Sequence, residues 1–342
     1  MRILYLPCHS VHEYDEVRMF HEMGYEIFSP GAYFDPQCSL HLRPGIPGLK
    51  YDQKIIDEYN AIGSKYPGKD AKYHLTKEFV DNFDVVIVMS LRVWVEINWD
   101  AIKHKKVILR TNGQGDAQYE DYIINKLKED NFYVVRYSPQ EEKFPNYGGS
   151  SATIRFGKKM NEYPEWVGDD NTLCTLVQNM AGRDIPCNWH TFKTISENLK
   201  CTLYGMSNES AGDLWYGRKT SFDETMHLLK QHRAYFYAGT KPANYTLNFI
   251  EALAIGLPIV AVGKQLGNSP NLDAYEIPYL ISQKNGIVSD NVNELIEYTK
   301  FLFDNKSVAE AISKANRSLA SELFADELIK SQWKSFFDQL NF

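Results

Sequence analysis

Apolar residues in this chain come in short continuous runs, separated by stretches long enough to hold a helix. Runs without polar alternation read as strands covered on both faces rather than strands with one wet face. The first half gives residues 3–6 (ILYL), 25–28, 84–89 (DVVIVM), 106–110 (KVILR) and 133–137 (YVVRY). The second half gives 173–177, 201–204, 235–238 and 259–262, with edge elements at 279–281 and 286–288. Helices are predicted over 13–23, stopped by Gly24, and over 73–82, 188–198 and 246–255. Amphipathic helices over 291–304, 307–324 and 325–340 close the chain. Strands alternating with helices imply an α/β protein with parallel sheets.

Two stretches depart from that rhythm. Residues 29–70 carry Pro30, Pro36, Pro44, Pro47 and Pro67 and read as a long irregular insertion, equally a candidate ligand-binding lid or a decoration of the fold. Gly168-Asp169-Asp170-Asn171 is a polar patch and reads as a linker. Ser221 and Glu224 have the spacing of a capping box, which accounts for both structurally.

The stretch 235–263, YFYAGTKPANYTLNFIEALAIGLPIVAVG, carries the clearest chemistry. Strand, loop, helix, Gly256-Pro258 stop and strand make a βαβ unit. Asn244 is a candidate cap for its helix. The loop leaving the first strand lies at the carboxyl edge of a parallel sheet, and the amides of the helix's first turn suit an anion such as a diphosphate. After the first strand of the chain, His9, Ser10 and His12 occupy the equivalent loop.

Length and composition are those of a globular protein of two domains. A net charge of −7 argues against a broadly basic nucleic-acid surface, while leaving room for a local basic cleft. Five cysteines without C-x-x-C spacing point to reduced thiols and no zinc site. The start, MRILYLP, reads as a strand rather than a signal peptide, and no apolar run approaches the roughly 20 residues that span a bilayer. The expectation is a cytoplasmic protein, with room for peripheral work at a membrane.

Glu251-Ala252-Leu253-Ala254-Ile255-Gly256-Leu257-Pro258-Ile259-Val260-Ala261 resembles the second half of the nucleotide-sugar signature of GT-B glycosyltransferases, especially retaining family four. That signature is E-x7-E followed by A-x-A-x-G-x-P-V-V-A; Ala243 stands where the first glutamate belongs. The resemblance implies two Rossmann-like domains facing across a cleft, residues 1–168 on the acceptor side and 169–325 on the nucleotide-sugar side. A final helix, 326–342, would cross back to the first domain. Gly182-Arg183 resembles the start of the basic pair that clasps the donor diphosphate, with Asn188 in place of its lysine. Lys219 or Lys241 would then supply the missing charge. Asn112 stands where the family commonly places a histidine, and Arg110 beside it is a further candidate for touching a sugar.

By this resemblance the chain moves a sugar from a UDP- or GDP-sugar to an acceptor, with retention and without a metal or other cofactor. The acceptor class stays open among a glycan, a lipid-linked glycan, a metabolite and a modified nucleobase. Arg183, Asn112 and His9 are the implied catalytic residues. Arg183, Asn188, Asn244, Tyr245, Thr246, Leu247 and Glu251 are the implied donor contacts, Glu251 accepting from the ribose hydroxyls. The departures at Ala243 and Asn188 keep two alternatives in view: a catalytically altered nucleotide-sugar-binding protein, and a GT-B-like sugar epimerase.

Overall fold

The computed structural model describes residues 1–40, 42–63, 73–113, 115–212, 220–268 and 271–342. These fall into two compact units. The first comprises Met1–Pro139, Asn146–Gly157 and Ile329–Phe342; the second comprises Gln140–Pro145 and Lys158–Leu328.

In the first unit the chain runs β1 (Arg2–Leu6), α1 (Ser10–Glu22), β2 (Glu26–Phe28), α2 (Gln53–Gly63), α3 (Lys77–Val80), β3 (Val85–Met89) and α4 (Val93–Ile102). It continues through β4 (Lys106–Arg110), α5 (Ala117–Lys126), β5 (Phe132–Arg136) and β6 (Ala152–Thr153). The six strands are parallel, in the order β2-β1-β3-β4-β5-β6. Every residue of β3 is buried, as its unbroken apolar run requires. One face of the sheet is covered by a cluster that includes Phe28, Phe79, Trp94 and Ile123.

Helix α1 starts three residues before the expected Glu13. His9 holds an extended φ of −150° and its Nδ1 accepts from the Val11 amide at 3.2 Å, so it is the cap and His12 lies within the helix. The 29–70 insertion is not wholly irregular, because α2 lies in it. Ile55, Ile56, Tyr59 and Ile62 recur at helical spacing, a signal obscured by the surrounding prolines. The helix expected over 73–82 shrinks to α3, because the Thr76 hydroxyl accepts from the Phe79 amide and starts the turn there.

The second unit runs β7 (Asp170–Leu176), α6 (Asp184–Cys187), α7 (Trp189–Ser196), β8 (Cys201–Tyr204), α8 (Phe222–Leu229), β9 (His232–Tyr237) and α9 (Leu247–Ile255). Then come β10 (Ile259–Val262), α10 (Lys264–Asn268), α11 (Ile277–Leu280), β11 (Gly286–Ser289), α12 (Val292–Asp304), α13 (Lys306–Phe324) and α14 (Asp326–Gln339). Its five parallel strands are ordered β11-β10-β9-β7-β8.

The polar patch at 168–171 is not the boundary. The amides of Val167 and Gly168 both reach the Lys230 carbonyl, and the Asp170 amide reaches that of Gln231. The patch thus belongs to the second sheet, β7 opens at Asp170, and the change of unit falls between Gly157 and Lys158. The edge strand expected over 279–281 is helix α11 instead, entered through Pro278. The loop expected over 264–270 opens as α10, its first amides at Gln265 and Leu266 accepted by the Asp290 carboxylate.

Helix α14 starts in the second unit and joins the first from Ile329 on. There Trp333 stands edge-on to Phe20 at 5.1 Å, Phe337 packs on Phe20 and Tyr25, and Phe336 meets Tyr133. Among the described residues, no helix is long and apolar enough to cross a membrane, and no group of three His, Cys, Asp or Glu side chains is placed to hold a metal ion.

Candidate functional site

In the second sheet the chain winds outward in both directions from the β7/β9 pair, so the crevice beyond the carboxyl ends of these two strands is the topological switch point where ligands bind in open α/β sheets. Helix α9 begins there. The Asn248 amide group donates to the Leu176 carbonyl at the end of β7, and the Thr246 hydroxyl donates to the Tyr237 hydroxyl at the end of β9, at 3.0 Å.

Thr246, not Asn244, is the N-cap of α9. Its side chain makes no capping bond; its hydroxyl lies against the Tyr237 hydroxyl and the Asn248 side-chain carbonyl. The Phe249 amide folds back on the Thr246 carbonyl at 3.1 Å, while no acceptor among the described residues meets the amides of Leu247 and Asn248. Two donors at the positive end of a helix thus remain available at the switch point.

Arg183 arrives from the neighbouring strand. The loop after β7 is held by buried Asn208, whose Nδ2 donates to the Val177 carbonyl at 2.7 Å and whose Oδ1 accepts from the Met180 amide at 2.8 Å. Gly205, at φ +117°, lets that loop approach: a Cβ there would stand 2.5 Å from the Val177 carbonyl oxygen. Arg183 itself is exposed at the start of α6, and its charge opposes the effect of burial on the Cys187 thiol. A second link joins α6 to the β9 loop, where the Lys241 amide reaches the Pro186 carbonyl at 2.9 Å. Lys241 therefore lies on the same edge; Lys219, the other candidate for a compensating charge, lies outside the described residues.

Several of the expected donor contacts are buried and carry structural contacts within the second unit. Asn188 is buried in the left-handed conformation between α6 and α7, and its Nδ2 donates to the carbonyls of Ala238 and Leu266. Asn244 is fully buried, donating to the Ala274 carbonyl at 2.6 Å while its own carbonyl accepts from the Glu276 amide. Tyr245 is buried against Phe249 and Phe324. Glu251 does not face solvent: it is 3% exposed, and its Oε1 accepts from the Lys158 ammonium at 3.0 Å. Of the seven expected donor residues, the structure thus leaves Arg183, Thr246 and Leu247 at the accessible edge.

The first unit has its own switch point, between β1 and β3. Beyond those strand ends the Ser90 hydroxyl donates to the Asn112 Oδ1 at 2.8 Å, and the Asn112 Nδ2 points to the Cys8 sulfur at 3.9 Å. Burial pushes the Cys8 thiol up to about 12, which favours its protonated form. His9 stands exposed next to it at the head of α1. His9 and Asn112 therefore share one sheet edge. Arg110 does not join them. It is fully buried, with Nε on Glu16 at 2.9 Å and its remaining nitrogens on the carbonyls of Arg136, Ile154 and Arg155. Its guanidinium also stacks over Phe156 at 4.4 Å. Asn208, Lys158 and Glu16 carry no local sequence signal, and only the presence of unmatched polar residues among apolar ones hinted at buried pairs.

No protein-family model and no curated protein matches this chain. Solved structures do. Anabaena Alr3699/HepE, in complex with UDP and glucose, is similar at 12% identity and a TM-score of 0.64, over 99% of this chain and 99% of its own. A glycosyltransferase from Rickettsia africae ESF-5 is similar at 14% identity and a TM-score of 0.62, over 99% and 98%. The fold is GT-B. TarM is another GT-B neighbour, at 16% identity and a TM-score of 0.57 over 78% of this chain, which spans 58% of TarM's length. In the GT-B fold the two switch points described above belong to the two Rossmann-like units.

Proposed function

We propose that this chain is a glycosyltransferase that takes its sugar from a nucleoside-diphosphate sugar, most simply a UDP-sugar. The observation that carries this reading is the pair of open amides at Leu247 and Asn248, at the β7/β9 switch point beside the loop that delivers Arg183. The solved neighbours support it, since HepE is seen with UDP and glucose and with UDP-glucose, and pneumococcal GtfA with UDP and GlcNAc.

In the proposed reaction the bond between the anomeric carbon and the β-phosphate oxygen breaks, and the diphosphate leaves with the electron pair. An acceptor hydroxyl forms the new bond to the anomeric carbon and passes its proton to the departing diphosphate oxygen. Charge grows on the diphosphate as the bond breaks, so donors fixed beforehand at that place lower the barrier. Arg183 suits this through its forked guanidinium, and the two amides through the helix dipole. These positive groups supply the compensation that a metal provides elsewhere, which favours a metal-independent transfer. Retention of configuration rests on the likeness to family four. His9 and Asn112, on the edge of the first sheet, are proposed to meet the acceptor or the transferred sugar.

A second reading has an observation in its favour. With Ala243 in place of a glutamate and Asn188 locked into two carbonyl contacts, two of the family's donor groups are absent, as in a protein that binds nucleotide sugars without transferring them. Incubation with a panel of UDP- and GDP-sugars separates the cases. Release of nucleoside diphosphate supports a transferase, tight binding without release a binding protein, and isomerised donor an epimerase.

A further inference from the structure

We propose that Lys158 and Glu251 form a buried strut that positions α9 on the chain passages linking the two units, and that Glu251 acts through Lys158 instead of on a ribose. The inference deepens the donor-site reading above and rests on it for its functional half.

Lys158 is the first residue of the second unit after Gly157, and Leu328 is the last before the chain returns to the first. These two passages are tied together. The Lys158 amide donates to the Phe324 carbonyl at 2.7 Å, the Asp326 amide donates to the Lys158 carbonyl at 3.0 Å, and Lys158 and Ala325 form a parallel bridge. From this short ladder two arms reach α9. One is the ion pair from Lys158 Nζ to Glu251 Oε1, both side chains buried. The other is the Phe324 ring, which stands edge-on to Tyr245 at 5.6 Å, two residues before the helix begins. An ammonium and a carboxylate taken wholly out of water need charged or hydrogen-bonding partners, and this pair meets part of that need for both. Alongside the packing of α13 on α9, where Arg317 donates to the Ala254 carbonyl at 2.8 Å, the pair therefore ties α9, and with it the Leu247 and Asn248 amides, to the Lys158 ladder.

The test uses the full chain as wild type, Lys158→Met, Glu251→Gln and the double variant. Melting temperature and, by calorimetry, affinity for UDP and for 2′,3′-dideoxy-UDP are measured on each. Each single change is expected to lower the melting temperature by roughly 10 °C, and the double variant by clearly less than the sum of the two. The singles are expected to weaken both nucleotides alike, by roughly tenfold, keeping the wild-type preference for the intact ribose. If a single variant fails to fold, the double variant, which removes both charges of the pair, is expected to fold.

Additive melting shifts, or none, overturn the strut. Loss of ribose discrimination in Glu251→Gln, with UDP affinity unchanged in Lys158→Met, also overturns it and makes Glu251 a ribose ligand. A wild type that binds neither nucleotide counts against the donor-site reading instead, and the melting series still decides the strut.

Discussion

The Nδ2 of Asn188 lies 2.6 Å from the carbonyl oxygen of Ala238, at the end of β9, and 2.9 Å from that of Leu266. Asn188, which the resemblance to family four sets in the place of a diphosphate-binding lysine, thus joins the end of β9 to α10. Asn188→Lys is expected to destabilise the protein by roughly 2–4 kcal/mol, through two lost hydrogen bonds and a bulkier side chain at a left-handed φ. It is expected to bring no gain in UDP affinity. Denaturant unfolding and calorimetry on the same sample check both halves.

Arg110 and Glu16 make a second buried pair, at 2.9 Å. Every nitrogen of the Arg110 guanidinium has an acceptor, so a lysine, with one compact ammionium-type donor group, cannot replace it. Arg110→Lys is expected to cost roughly 3 kcal/mol of stability, close to the cost of breaking the pair outright. Donor affinity of the folded fraction is expected to stay at the wild-type value, as measured by calorimetry below the melting transition.

His232 sits between the Tyr204 hydroxyl, 2.8 Å from its Nε2, and the Thr172 hydroxyl on its Nδ1. Burial holds its folded pKa down at about 4, against an ordinary 6.5. The unfolded chain therefore binds a proton in that window and the folded chain does not. Stability is lost as pH falls from 6.5 towards 4, by up to roughly 3 kcal/mol from this group. Denaturant unfolding at pH 7 and pH 4.5 should show a drop that His232→Gln reduces; an equal drop in the variant assigns it to other groups.

Arg183 is exposed and caps no helix with its side chain. Arg183→Ala is expected to leave stability within about 0.5 kcal/mol of wild type. Donor turnover should fall by roughly 10²-fold, as for other single groups that stabilise developing negative charge. Diphosphate release at the wild-type rate would pass the role to other cations, Lys241 first among them.

What the sequence determined by itself was the succession of strands and helices. Contiguous apolar runs such as DVVIVM place β3, Gly256-Pro258 ends α9, and the Ser221 hydroxyl accepts from the Glu224 amide as the capping-box spacing requires. These signals are local, carried within one turn or one strand. Where locality failed, as with α2 among its prolines or α11 behind Pro278, a breaker residue outweighed the periodicity. The tertiary structure decided which polar side chains face a ligand and which hold the core. Glu251 and Lys158 are 93 positions apart, Arg110 and Glu16 are 94, and Asn188 and Leu266 are 78. A carboxylate on an apolar helix reads the same whether it meets a ribose or a buried lysine. Its role depends on which distant charge the fold brings within hydrogen-bond reach, because burial makes that partner a requirement.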